Sequence, residues 1–282
     1  MRTPGRGQGD ECAAAPANEC APPVRSPLNF FGLVFALSVP FWLAGAVSDL
    51  QLMPGLSVSA LMTFCPMAAA LILVHREGGG ARVAELLSRS FDFERIRSKR
   101  WYIPVLFLMA GVNLAVYGVM VGLGMPLPSP QIQLTSASLM FVAFFAGALG
   151  EELGWSGYIT GQLQRRWNAL QTGLILALVA VLWHLPALLL VHRSPRWIAW
   201  WCLYAVAARI LIVWLFNNTG QSVCAVALFH ATLNLSYMLF PVYGSHFDMR
   251  IAGVIMVLAA AIVIAVWQPD TLARRPQFSR PP

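Results

Sequence analysis

WYIPVLFLMAGVNLAVYGVMVGL, Trp101 to Leu123, runs for twenty-three residues without a charged side chain. As a helix at about 1.5 Å per residue it reaches roughly 34 Å, enough to cross a hydrocarbon layer of about 30 Å. In lipid an open sheet edge leaves N–H and C=O groups without partners. A span is therefore a helix or part of a closed barrel, and a continuous apolar run, unlike a period-two alternation, selects the helix. Comparable runs recur at about 29–47, 56–74, 138–163, 171–191, 197–216, 222–241 and 250–267. The expected fold is all-α, a polytopic membrane bundle of about eight transmembrane helices. Composition agrees, with 58% hydrophobic and 11% charged residues and a mean hydropathy of +0.65, far from the soluble norm.

Outside these runs the chain offers two short tails and one polar segment. Residues 1–28 are rich in Pro, Gly and Ala and lack the apolar core of a signal peptide, so a disordered cytoplasmic tail is expected. Residues 268–282 read as a second cytoplasmic tail, leaving 29–267 as one membrane domain. Between Gly78 and Phe91 a glycine turn precedes a pattern that puts Val83, Leu86, Leu87 and Phe91 on one helical face, as in a helix lying on the inner leaflet. Of five cysteines, Cys65, Cys202 and Cys224 fall in apolar runs as small packing residues, and none has metal-binding spacing.

The net charge of +7 is informative through its distribution. With eight spans and both termini cytoplasmic, fifteen of the nineteen basic residues lie inside, seven of them between Arg76 and Arg100. Only Arg193, Arg196 and Arg250 lie outside and Arg209 sits within a span, which satisfies the positive-inside bias. Charges scattered over juxtamembrane loops speak for contact with the lipid bilayer and against nucleic-acid binding.

Polar side chains within spans are few, and their insertion costs about 2.5–3.5 kcal/mol for a charged group, so each needs a reason. They are Glu151 and Glu152 in the fourth span, His184 in the fifth, Arg209 in the sixth, and His230 and Asn234 in the seventh. Counted from the cytoplasmic ends at about 1.5 Å per residue, Glu151, His184 and His230 lie roughly 21, 20 and 15 Å deep. His230 and Asn234, four residues apart, share a helix face. Glu151 and Glu152 point about 100° apart, so one can face a cavity while the other pairs elsewhere.

Such a set has two chemical uses. A carboxylate desolvated in apolar surroundings is a general base toward water, with imidazole and amide groups stabilising a developing oxyanion. Alternatively, Glu151, His184 and His230 could bind Zn²⁺ with an open position for water. Single intramembrane His or Asn residues are often only packing contacts, but three spans converging on one depth favour a site. A proton relay in a transporter uses the same groups.

At these residues the sequence resembles the CAAX proteases and bacteriocin-processing enzymes, the Abi or CPBP family. Its EExxxR motif resembles Glu151-Glu152-Leu153-Gly154-Trp155-Ser156 within GEELGWSGY; its FxxxH motif resembles Ala180 to His184; its HxxxN motif resembles His230 to Asn234. The likeness covers about 137–240. It implies an intramembrane endopeptidase in which Glu151 activates water, His184 assists, and His230 and Asn234 hold the water, a metal or the oxyanion. Glu152 belongs to the same catalytic set, and the family leaves metallo- and glutamate-type chemistry open.

Two positions depart from the pattern. Ser156 replaces the motif arginine and Ala180 the motif phenylalanine, which removes a counter-charge for Glu152 and some volume beside His184. Arg209 is the expected substitute for the missing charge. The alternative is a catalytically inactive relative acting as an immunity or scaffold protein, and a proton-coupled transporter comes third. The arginine-rich composition points to a bacterial cytoplasmic membrane. There a membrane-associated peptide or protein, such as a bacteriocin precursor or an anchored regulator, is a better substrate than a prenylated one.

Overall fold

The computed structural model describes residues 26–48, 50–53, 56–242 and 244–273. Of the segments expected to be tails, residues 1–25, with Cys12 and Cys20, and 274–282 lie outside these, whereas 268–273 are described and Leu272 is buried against the bundle. Eight helices follow in chain order: α1 (Pro27–Val47), α2 (Cys65–Ser88), α3 (Tyr102–Gly122), α4 (Leu134–Gln164), α5 (Ala169–Leu190), α6 (Pro195–Asn218), α7 (Val223–Leu239) and α8 (Met249–Trp267). Seven are long and apolar enough to cross a membrane, with α2 extended by the short helical turns on either side of it. The other, α7, is a shorter apolar helix of 17 residues. A two-stranded hairpin, β1 (Gln51–Met53) and β2 (Leu56–Ser57), and a 3₁₀ segment, Val58–Phe64, link α1 to α2.

Local chemistry sets the helix ends. Asn168 and Gln171 form a reciprocal capping box at α5, and the hydroxyls of Ser194 and Ser222 accept from the backbone amides of Trp197 and Ala225 to start α6 and α7. At one end of the bundle a polar lacework ties these starts together. Arg89 donates to the carbonyls of Gly157 (2.7 Å) and Gln221 (2.6 Å). The Asp92 carboxylate accepts from Ser222 Oγ and from the Val223 and Cys224 amides, capping α7 from outside. Asn217 and Asn218 donate to the carbonyls of Thr271 and Leu272.

The polar 76–100 segment differs from expectation. Helix α2 runs on through it, bent at Gly78 and Gly79, where Gly79 takes φ +67, and short 3₁₀ turns follow. The expected common face is divided: Leu86 is buried in the core, whereas Leu87 and Phe91 are exposed. Leu86 and Leu87, adjacent in the helix, point about 100° apart, so only one turns to the core, and the change from α to 3₁₀ geometry at Arg89 takes Phe91 out of the helical register.

Helix α6 is the most enclosed span, packed between α5 and α8, and α7 lies between α3 and α4. Helix α4 rests directly on the start of α2, and this approach depends on small residues. A Cβ on Gly154 would stand 2.4 Å from the Pro66 carbonyl oxygen, and one on Gly150 2.9 Å from that of Thr63. The pair Gly150-x-x-x-Gly154 is thus a small-residue contact of the kind that lets two membrane helices touch backbone to backbone.

Candidate active site

Helix α4 does not stay α-helical. From Leu153 to Thr160 it widens into a π-helix, immediately after Glu151 and Glu152. Such local widening is rare and recurs at functional sites because it redirects the side chains around it. Both glutamates are buried, with relative exposures of 6% and 0%.

Glu152 is held by donors from three helices. Arg209 Nη1 on α6 lies 3.0 Å from each carboxylate oxygen, His230 Nδ1 on α7 lies 3.0 Å from Oε1, and Ser156 Oγ, one turn along α4, donates to Oε2. A carboxylate only accepts, so His230 carries its proton on Nδ1, and in the neutral ring Nε2 is left with a lone pair. Arg209 does not snorkel out of the bundle; it is 5% exposed and forms a buried ion pair. The motif arginine's position therefore holds a hydroxyl donor, and the positive charge comes from another helix.

Glu151 faces a different environment. Thr63 Oγ1, from the 3₁₀ segment, lies 3.2 Å from its Oε1 and 3.0 Å from the Gly147 carbonyl. Its Oε2 is buried and has no hydrogen-bond partner among the described residues. His184 Nε2 on α5 stands 4.0 Å from Oε1. The other ring nitrogen, Nδ1, is 2.8 Å from the Ala180 carbonyl, which can only accept, so Nδ1 carries the proton and Nε2 presents a lone pair in the neutral ring. Trp183 and Trp201 flank the imidazole at centroid distances of 4.6 and 5.3 Å, and Trp183 is itself fixed by donating to Ser38 Oγ at 2.7 Å.

A cavity of about 650 Å³ contains Glu151, His184, His230 and Asn234, together with Thr63, Phe144, Trp201 and Tyr204. That is an ordinary size for a substrate site. Glu151, His184, His230 and Asn234 thus share one space, while Glu152 and Arg209 stand behind it. One expectation changes: the nearest partner of His230 is Glu152, because the 100° offset of adjacent helical residues turns Glu152 toward α7 and leaves Glu151 to α5. Among the described residues no three His, Cys, Asp or Glu side chains are grouped so as to hold a metal ion. His230 is drawn to Glu152, away from the Glu151–His184 pair, so no chemical step is derived through zinc.

Thr63 and Trp201 had no signal in the sequence. Both lie in apolar runs, and only the packing of the 3₁₀ segment on α4 and of α6 on α5 brings them to the site.

The likeness to known proteins falls on this same region. Residues 133–236 match the family described as type II CAAX prenyl endopeptidase Rce1-like. A CAAX prenyl protease 2 of Methanococcus maripaludis is 24% identical over 270 residues, covering 85% of this chain and 93% of that one. That relative is archaeal, so the likeness does not support the expected bacterial source. A bundle of apolar helices, with its glutamate pair, two histidines and asparagine inside the matched segment, is an integral membrane protein whose segment 133–236 is similar to the type II CAAX prenyl endopeptidases.

Proposed function

We propose that this endopeptidase hydrolyses a peptide bond of a membrane-associated protein or peptide, using Glu151 as the general base toward water. The observation that carries the reading is the contrast between the two glutamates. Glu152 is saturated by Arg209, His230 and Ser156, whereas the Glu151 carboxylate lies in the cavity with Oε2 unpartnered among the described residues.

In the proposed sequence Glu151 takes a proton from water as the water oxygen bonds to the substrate carbonyl carbon. The carbonyl π electrons move onto oxygen, and the Asn234 amide, on the cavity wall, is the donor that stabilises the resulting oxyanion. Collapse breaks the C–N bond, and the departing amine takes up the proton held by Glu151, with His184 Nε2 within reach as relay. Glu152 does not turn over. It anchors His230 and pins α4, α6 and α7 around the reacting groups, as a carboxylate orients a catalytic imidazole.

The alternating course of the helices places the cavity at the end of the bundle away from the basic segments. Its wall is drawn from the hairpin, the 3₁₀ segment, α4 and the ends of α5, α6 and α7 nearest Arg193, while Arg89 and Arg95 bond to the loop before α7. On the positive-inside bias the cavity opens away from the cytoplasm, and both termini are cytoplasmic.

A reporter peptide in detergent or nanodiscs tests the chemistry. Glu151→Gln is expected to lower turnover by about 10²–10⁴, the usual worth of a general base, and His184→Ala to lower it strongly. Cleavage surviving both substitutions would overturn the assignment. Chelator challenge with metal analysis tests zinc; loss of activity restored by Zn²⁺ would require Glu151, His184 and His230 to draw together around the ion.

A further inference from the structure

Tyr204 stands on the wall of the same cavity, and the proteolytic steps above leave it unused. It follows Trp201 by three residues on α6, so the two share a helix face, and Trp201 packs against the His184 ring at 5.3 Å between centroids. Tyr204 is nine residues in from Pro195 and His230 nine from Leu239, roughly 14 Å of helix from the same end of the bundle in each case. The phenol is therefore level with His230 and on the side of α6 that meets His184.

Its hydroxyl is unpartnered. Tyr204 is 5% exposed, and its oxygen is shielded from solvent with no hydrogen-bond partner among the described residues. The other hydroxyls of the wall are engaged: Thr63 bonds to Gly147 and Glu151, Ser57 and Ser59 bond to each other, and Tyr237 interacts with Arg193. A buried hydroxyl normally finds a partner, because leaving water without one is costly. Beside a substrate cavity, the missing partner of Tyr204 is an acceptor that arrives with the reacting molecule.

The oxyanion is such an acceptor. The Nδ1–H of His230 is committed to Glu152 and that of His184 to the Ala180 carbonyl, so neither neutral ring keeps a proton for it. The Asn234 amide then acts alone, whereas a tetrahedral oxyanion has three lone pairs and draws its stabilisation from donors already in place in a dry site. We propose that Tyr204 is a further catalytic residue, its phenol O–H donating the second hydrogen bond to the oxyanion. The proton stays on the phenol throughout, and the oxyanion electrons return to the carbonyl as the C–N bond breaks. This rests on the peptidase reading.

Tyr204→Phe removes one oxygen and keeps the ring, so the wall stays filled. Because the hydroxyl has no partner in the free protein, the unfolding midpoint in detergent should hold or rise. On a reporter peptide kcat should fall by about 10²–10³, the usual effect of losing one oxyanion donor, with KM little changed. A phosphinic analogue of that peptide, which carries a tetrahedral oxyanion, gives a second readout by fluorescence anisotropy in phosphatidylcholine nanodiscs. Tyr204→Phe should weaken the analogue by roughly ten- to hundredfold and leave the parent peptide unaffected, the latter measured with Glu151→Gln in both proteins. A folded Tyr204→Phe protein with wild-type kcat overturns the role and leaves the protease standing. Equal weakening of analogue and parent peptide assigns the hydroxyl to substrate binding alone and overturns it, and a midpoint that falls together with kcat assigns it to the fold and does the same. A wild type that cleaves no peptide overturns the peptidase reading, and the role with it.

Discussion

Removing Arg209 would leave the Glu152 carboxylate at zero solvent exposure with only Ser156 and His230 as donors. Breaking a buried ion pair from one side costs about 3–5 kcal/mol, so Arg209→Met should lower the unfolding midpoint sharply in detergent. Ser156→Arg in that background returns a cation to the carboxylate and should recover most of the loss, with cleavage returning in parallel. A double variant no more stable than Arg209→Met would show that the two positions do not exchange this role. Thr63→Val removes the hydroxyl that donates to Glu151 Oε1; a stability cost of about 1 kcal/mol and a fall in turnover are expected, measured on the same preparation. At this scale the sequence carried much of the site, because charged and imidazole groups are conspicuous in apolar runs. It could not carry Thr63, since a threonine in such a run looks the same whether it satisfies its own helix or reaches a neighbour. Nor could it decide which glutamate His230 meets, because that depends on how α4 is rotated against α7.

Among the elements, the π-helical part of α4 is the least legible. Leu153–Thr160 reads as ordinary apolar helix, and nothing in residue type separates a 3.6-residue turn from a wider one. Of its two glycines, Gly154 is the more telling. A Cβ on Gly154 would press into the Pro66 backbone, which cannot swing aside as a side chain can, so Gly154→Ala should push α4 off α2 and disturb both glutamates. Loss of cleavage with intact insertion, checked by size-exclusion chromatography, is the expected result. The expected start of α5 at 171 falls short because the Asn168–Gln171 capping box lies in polar sequence ahead of the apolar run. Helix α8 begins on Asp248, whose carboxyl is held below its ordinary 3.8 by hydrogen bonding to Arg250. A carboxyl lowered in the folded state stabilises it above the ordinary value, and that contribution disappears as pH falls through the lowered one. The first turn of α8 should therefore keep its amide protection at neutral pH and lose it only below about pH 4, as hydrogen exchange would show.

For the whole molecule, hydropathy was enough to give the number and order of the helices, because each span must satisfy its own backbone in lipid. It could not give the cavity, which arises where the hairpin and 3₁₀ segment hold the start of α2 against α4 and leave space toward α5 and α7. The proposed orientation can be checked directly. In a variant lacking native cysteines, one placed at Ser245 should react with an impermeant maleimide added outside intact cells, and one at Glu94 should not. The reverse pattern would turn the cavity toward the cytoplasm. The shared grip of Ser156 and Arg209 on Glu152 also has an evolutionary consequence. If the counter-charge can come from either α4 or α6, the two positions should covary among relatives, a small residue at 156 accompanying arginine at 209 and arginine at 156 accompanying an uncharged residue there. A search that insists on arginine four residues after the second glutamate would then overlook one whole branch of working enzymes.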